Sequence, residues 1–420
     1  MRRFGLGLSR EIWLVQIGIL LNSLGWGAVL PFEVIYLHDG RGFGLGASGL
    51  IIGTLTGIAV LAAPAAGSLI DRVGSRRVAA VGGILLAAGY TGLALAHSEV
   101  FAFAAAVVAG TGNGALQPAQ STLIAALAAP ELRHRATAVS RVCTNAGFGL
   151  GGALGGLVAG YGLNGFIFLF LFNAGSYLAY VGVLTAVVRS APPPERLAGG
   201  YRQVLGDKPF LHLALTNVVV IAIGWGVFSW IIPPYARHEL AIRPALIGLL
   251  FLANAGTVVL AQVPMARLVE GRRRVTMMAI GATLIGGACL LVVIAHTVAS
   301  AEYAALVTAT VIVAVGECFH TAVLMPLVAD LAPIHLRGRY MATMGLSWWI
   351  GLAVAPIFGT QLLSVSATLT FGGSALAAAA AAASLLALNH RLPASARVTP
   401  NPPVANANLR CLARGTQELV

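Results

Sequence analysis

The stretch GWGAVLPFEVIY, residues 25–36, recurs as GWGVFSWIIPPY, residues 224–235, with Gly-Trp-Gly and the closing tyrosine in register at a shift of 199 residues (224 against 25). A second pair, LAAPELRHR at 127–135 and LAPIHLRGR at 331–339, repeats at a shift of 204 (331 against 127). Two shifts this close mean that one half of the chain repeats the other in parallel order. The material between the matched segments decides what is repeated. Of 420 residues, 58% are hydrophobic and 10% charged, and the mean hydropathy is +0.86, whereas a soluble domain carries about a quarter charged residues. A helix needs about 20 apolar residues to cross hydrocarbon. Twelve such runs are predicted, at 12–36, 48–70, 77–97, 101–127, 138–160, 164–188, 210–236, 244–266, 275–296, 303–331, 340–363 and 367–389. Helices are expected because they satisfy their own backbone hydrogen bonds in lipid.

The predicted architecture is an all-α integral membrane fold of twelve transmembrane helices in two six-helix bundles. The first bundle occupies residues 1–188, a cytoplasmic linker rich in Pro, Gly and charge 189–209, the second bundle 210–390, and a disordered cytoplasmic tail 391–420. With the N-terminus inside, all of the 26 Lys and Arg except Arg41, Arg237 and Arg243 fall on the inner side, which places both termini in the cytoplasm. The formal charge of +12 is therefore spread over short loops and does not form a nucleic-acid surface. The first helix is too long for a cleaved signal peptide and is read as retained. Cys143, Cys289, Cys318 and Cys411 are scattered, so neither a disulfide framework nor a metal motif is indicated, and no cofactor is expected. Lys208 stands alone among arginines in an Ala- and Gly-rich chain, a bias that fits a high-GC bacterial genome and hence a bacterial cytoplasmic membrane.

Charge is concentrated in GSLIDRVGSRRV, Gly67–Val78, between the second and third predicted helices. Gly74 permits a tight turn, the arginines hold the loop at the inner surface, and Asp71 can pair with an arginine or with the positive end of a helix. A solvated turn obeying the positive-inside rule would explain the arginines but has no need of Asp71. Residue types, spacing and position resemble the loop 2–3 signature of the major facilitator superfamily, with Gly67, Asp71, Arg72, Gly74, Arg76 and Arg77 on its key positions. The resemblance implies an alternating-access carrier of drugs or metabolites in which Asp71 helps lock the bundles together on the cytoplasmic side when the carrier faces out. The second half keeps the loop only in part, as ARLVEGRRRV, Ala266–Val275: aligning Gly271 with Gly74 puts Leu268 opposite Asp71, so an asymmetric gate is expected.

The fifth predicted helix contains NAGFGLGGALGGLVAG, residues 145–160. Gly147, Gly151, Gly155 and Gly156 recur at about one turn and form a small-residue face for close helix packing. The run also resembles the family's antiporter motif, with Gly152 in place of its proline; Pro356 and Gly359 keep a similar arrangement in the eleventh helix. That motif implies export. The fourth helix departs from the drug:proton members, because Ala106 occupies the position of their intramembrane arginine.

Polar groups inside the membrane are costly, about 2.5–3.5 kcal/mol each for a charge on translocon scales, and so point to function. Glu317 lies fourteen residues into the tenth helix (317 against 303), roughly 21 Å along it, near the bilayer centre. The shift of 204 maps it onto Asn113, so both halves are expected to place a polar side chain at one depth in the central cavity that the resemblance implies. His320 follows three residues on, on the same face. A carboxyl group there is suited to carry a proton; the alternative is a structural hydrogen bond to another helix or to His320. Glu33, roughly 31 Å along the first helix, is expected near the outer surface as an interfacial or coupling residue. Trp26 and Trp225, matched by the repeat, either stack on a lipophilic substrate or pack against a neighbouring helix. Trp348 and Trp349 receive no role.

The reading that follows is a secondary transporter and not an enzyme: no nucleotide loop, metal spacing or nucleophile–base pair is found. We expect a proton-coupled exporter of small organic or lipophilic compounds, embedded in the bilayer and acting as a monomer. The alternatives are an importer of a small metabolite on the same fold and a non-transporting membrane receptor.

Overall fold

A computed structural model describes residues 7–129, 132–186, 201–295, 301–333 and 336–399. Among them are twelve helices long and apolar enough to cross a membrane: α1 Arg10–Gly40, α2 Leu45–Val73, α3 Ser75–Ala94, α4 Glu99–Leu127, α5 Arg135–Ala159, α6 Leu163–Ala186, α7 Lys208–His238, α8 Pro244–Leu268, α9 Arg274–Ile294, α10 Glu302–Leu331, α11 Arg337–Leu363 and α12 Ala367–Leu388. Large apolar side chains such as Leu260, Leu376 and Leu61 are 78%, 74% and 73% exposed, a surface suited to lipid and not to water.

The repeated helices α1 and α7 are both irregular. In α1 a single turn of 3-10 helix interrupts the α geometry at Leu30–Phe32, where Pro31 has no N–H to donate to the preceding turn, and a π turn at Tyr36–Gly40 ends the helix. In α7 a π turn covers Ala222–Gly226, and the helix resets before Pro233 and Pro234. The interruptions rotate the ends of both helices relative to their beginnings, which lets one helix present groups to two different neighbours.

The expected glycine turn is present in both halves: Gly74 has φ +88° and Gly271 φ +68°, a region that a side chain would strain. Asp71 is exposed and makes no ion pair among the described residues, while Arg76 Nη2 donates to the carbonyl of Thr185 at 2.7 Å. In the second half the charge pair is built elsewhere. Arg274, 1% exposed, binds Asp330 Oδ2 at 2.5 Å, joining the start of α9 to the end of α10.

Two boundaries differ from expectation. Of the predicted linker, residues 189–200 lie outside the described residues, but Tyr201–Gly206 is a short helix, and Asp207 caps α7 by accepting from Phe210 N at 3.1 Å. Residues 400–420 of the predicted tail also lie outside. Residues 391–399, expected without structure, instead pair with the turn between α8 and α9: Arg274 N donates to Arg397 O at 2.9 Å and Thr399 N to Arg272 O at 3.0 Å. The exposed turn leaves backbone groups unpaired, and the returning chain satisfies them.

The glycines of α5 divide into two faces. Side chains added at Gly147, Gly151 and Gly155 would strike the α1 backbone at Leu20, Leu24 and Ala28, so this face packs inside the first half. Gly149, Gly152 and Gly156 meet Ala255, Phe251 and Pro244 of α8, across the two halves. The second crossing pairs α2 with α11, where Gly49 lies against Pro356 and Thr360 and Gly53 against Ile357. Continuing along these faces, contact ends. Gly57 and Gly67 have nothing within 4 Å, and Val142, Val259 and Val263 are 65%, 61% and 59% exposed. The halves therefore close on each other at the end carrying Arg41 and Arg237 and part toward the arginine-rich end carrying Arg72 and Arg76.

Candidate functional site

The parting halves leave a cavity of roughly 80 Å³. Its polar lining comes from the first half, including Asn22, Asn113, Gln117 and Gln120, and Trp230 and Trp349 enter from the second. At its closed end sits Glu33. It stands near the end of α1, seven residues before Gly40 (40 against 33), at about the depth expected for it, but it is not interfacial: Glu33 is 2% exposed. The correction has a structural cause: α1 continues to Gly40, and α7 of the other half covers it.

Both carboxylate oxygens of Glu33 are engaged. Tyr90 of α3 donates its hydroxyl to Oε1 at 3.0 Å, and Trp230 of α7 donates Nε1–H to Oε2 at 2.9 Å. Tyr90 and Trp230 are 1% and 2% exposed. One donor thus belongs to each half, and among the described residues no Lys, Arg or His pairs with this carboxylate. A carboxyl group held only by neutral donors can accept a proton or a cationic ligand without displacing a salt-bridge partner.

Glu317 is not in this cavity. It lines a small second cleft inside the second half, of only about 10 Å³, together with Val220, Ile221, Trp225, Ile285, His320, Thr321 and Trp348. Its Oε1 is buried without a hydrogen-bond partner. His320 does not bind it. His320 Nε2–H donates instead to Asn217 Oδ1 at 2.7 Å, and Asn217 Nδ2–H donates to Ser347 Oγ at 2.8 Å, a buried chain linking α10, α7 and α11. The repeat thus places Asn113 and Glu317 at matching positions but in separate compartments.

The compartments meet at the matched tryptophans. Trp225 packs against Trp26 at 5.9 Å between ring centroids, Phe148 at 5.3 Å, Trp348 at 6.3 Å and, edge-on, Trp230 at 6.2 Å. Trp225 therefore touches both the wall of the Glu317 cleft and the indole that holds Glu33. Trp348 and Trp349, without a role in the sequence reading, line the smaller cleft and the larger cavity respectively. Sequence reasoning also missed Tyr90, Asn217 and Trp230. Only Trp230 left a trace, as the second tryptophan of the repeated segment.

Comparison with known proteins agrees with this architecture. The family model described as Major Facilitator Superfamily matches twice, at residues 15–218 and 214–415. The uncharacterized MFS-type transporter YttB of Bacillus subtilis is 25% identical over 85% of this chain and 89% of its own length. The multidrug resistance protein MdtH of Aeromonas hydrophila is 27% identical, over 61% of this chain and 64% of that protein. Among solved structures, a peptide transporter POT in complex with sulfate superimposes with a TM-score of 0.77 at 18% identity, covering 93% of this chain and 96% of that one, a likeness of fold. With two family matches that together run through both six-helix halves, this chain, a multi-pass membrane protein, belongs to the Major Facilitator Superfamily of transporters.

Proposed function

We propose that the protein exports small organic or lipophilic compounds, cations among them, in exchange for protons, by alternating access across a bacterial cytoplasmic membrane with the arginine-rich end inside. The observation that carries this reading is Glu33, a buried carboxylate at the closed end of the cavity whose two oxygens are held by Tyr90 of one half and Trp230 of the other.

The arrangement is a latch. While Glu33 is ionised and unoccupied, both oxygens accept and the closed end stays shut. A proton converts one oxygen from acceptor to donor and breaks the match with one neutral donor. A cationic substrate in the cavity competes for the same lone pairs. Either ligand loosens the latch and the empty carrier keeps it, which is the condition for exchange: a ligand moves the equilibrium only by its differential affinity for the two states. Trp26 and Trp349, which line the cavity, supply aromatic faces for an apolar or cationic substrate, and Trp225 packs behind Trp26. Asp71, unpaired here, closes the opposite gate in the other state. Glu317, in its own cleft, takes a supporting part in coupling. The name of the multidrug resistance protein MdtH supports export, as does the glycine-rich face of α5.

The test is proton movement in everted vesicles holding an imposed pH gradient, challenged with lipophilic cations, tetracyclines, sugars, amino acids and peptides. Export predicts that a lipophilic or cationic compound collapses the gradient in vesicles containing the protein and not in empty ones. Accumulation of a compound in the same direction as protons would assign import.

A further inference from the structure

At the closed end, beyond Glu33, three side chains able to bind a metal converge from both halves. His38 and Asp39 stand on the π turn that ends α1, and His238 is the last residue of α7. One ligand atom from each lies within 4.8 Å of the other two. His238 Nε2 is 3.2 Å from Asp39 Oδ1, and the two imidazoles stand edge to face with centroids 5.0 Å apart.

We propose that His38, Asp39 and His238 form a site for a divalent transition ion, zinc being the best match, that staples the two halves together at the closed end of the molecule. The donor set of two imidazoles and one carboxylate is that of zinc and its neighbours and not of magnesium or calcium, which take oxygen.

A second feature prepares the site. His38 Nδ1 lies 2.7 Å from the carbonyl oxygen of Phe43; a carbonyl only accepts, so Nδ1 carries the hydrogen and Nε2 is left with its lone pair. Metal-binding histidines are commonly oriented in this way, by donating the other ring N–H to a carbonyl or carboxylate. His238 and Asp39 are each 31% exposed, so an ion reaches them from solution. Ligands in a tetrahedral zinc site lie roughly 3.3 Å apart at Zn–N distances near 2.0 Å, a contraction that partly exposed side chains accommodate by small rotations. Arg237, whose Nε is 3.8 Å from Asp39 Oδ2, is the cation that zinc would displace. With three protein ligands, water fills the fourth position.

The ion would add a cross-link between α1 and α7 beside the Glu33 latch, so zinc outside the cell would hold this end shut. Binding itself does not depend on what the cavity transports or on whether protons drive it.

The test is isothermal titration of purified full-length protein in detergent with zinc chloride, magnesium chloride serving as control. The expected result is one zinc per chain, no response to magnesium, and a higher melting temperature with zinc. His38→Ala and His238→Ala should each weaken binding about tenfold or more, since loss of even an outer-shell partner costs that much. His97→Ala, on an exposed histidine in the loop between α3 and α4, should bind like wild type. Variants are compared only where their zinc-free melting curves match wild type; Asp39→Asn provides a conservative third substitution. Failure of wild type to bind zinc, or binding that survives loss of both histidines, overturns the proposal.

Discussion

Trp230 Nε1 donates to Glu33 Oε2 at 2.9 Å, tying a carboxylate of the first half to an indole of the second, 197 positions away. The bond crosses the interface that opens in the proposed alternating-access cycle, so its removal is informative. Trp230→Phe keeps an apolar ring and deletes only the donor. A hydrogen bond to a charged acceptor contributes about 1.5–3 kcal/mol, and we expect the variant to lose up to that much stability in the closed-end state. Proton leak in vesicles without substrate should rise several-fold. A leak equal to wild type would remove Trp230 from the latch.

The two glycine faces of α5 predict opposite phenotypes. Gly151→Val forces a side chain into the α1 backbone at Leu24, inside one half, and should lower the yield of folded protein sharply, overpacking costing about 1–3 kcal/mol. Gly152→Val meets Phe251 of α8, across the halves. It should insert and fold but hold the closed end apart, which spin labels on α5 and α8 would read as a longer distance than in wild type. Gly57→Val, with nothing within 4 Å of its added carbon, is the tolerated control.

Arg274 and Asp71 separate structure from gating. Arg274 is buried and its ion pair with Asp330, whose side chain is 46% exposed, joins α9 to α10. Asp330→Asn strands a buried guanidinium, and we expect a loss of about 3 kcal/mol, the low end for a broken buried pair because water reaches the carboxylate. Asp71→Asn should change the melting temperature little, within the range of ordinary surface substitutions of about 0.5 kcal/mol, yet slow transport. A large stability loss in Asp71→Asn would contradict the gate.

Much of the fold was legible because its signals are local. Twelve apolar runs, the Gly-Trp-Gly repeat and the turn glycines Gly74 and Gly271 each follow from lipid thickness, period or backbone freedom. The family resemblance drawn from Gly67–Arg77 pointed to the family that the comparison then matched. The site was only half legible. Trp26 and Trp225 were found because they repeat, but Glu33 was read as interfacial because counting 1.5 Å per residue put it near the outer surface, a count that gives depth and not burial. The rise says nothing of α7 covering that end, and α1 is neither straight nor over by Tyr36. Glu317 was placed correctly on α10 but in the wrong compartment, since helix rotation about its own axis is set by packing. Likewise, the neighbours His38 and Asp39 are about 200 positions from His238 (238 against 38); the shift of 199 matches Asp39 to His238, but a repeat shows equivalence and not contact. The first residues of the tail were assigned no structure because their partners are backbone groups, which composition does not report.

The most direct test of the central claim is proton-coupled transport by Glu33→Gln beside Glu317→Gln and wild type, at matched expression, in everted vesicles with an imposed pH gradient. Glutamine keeps the shape of the side chain and removes the exchangeable proton. If Glu33 is the coupling carboxylate, Glu33→Gln shows no substrate-dependent collapse of the gradient, whereas Glu317→Gln keeps a reduced but measurable response. Wild-type exchange in Glu33→Gln, with loss of exchange only in Glu317→Gln, would contradict the latch and move coupling to the smaller cleft of the second half.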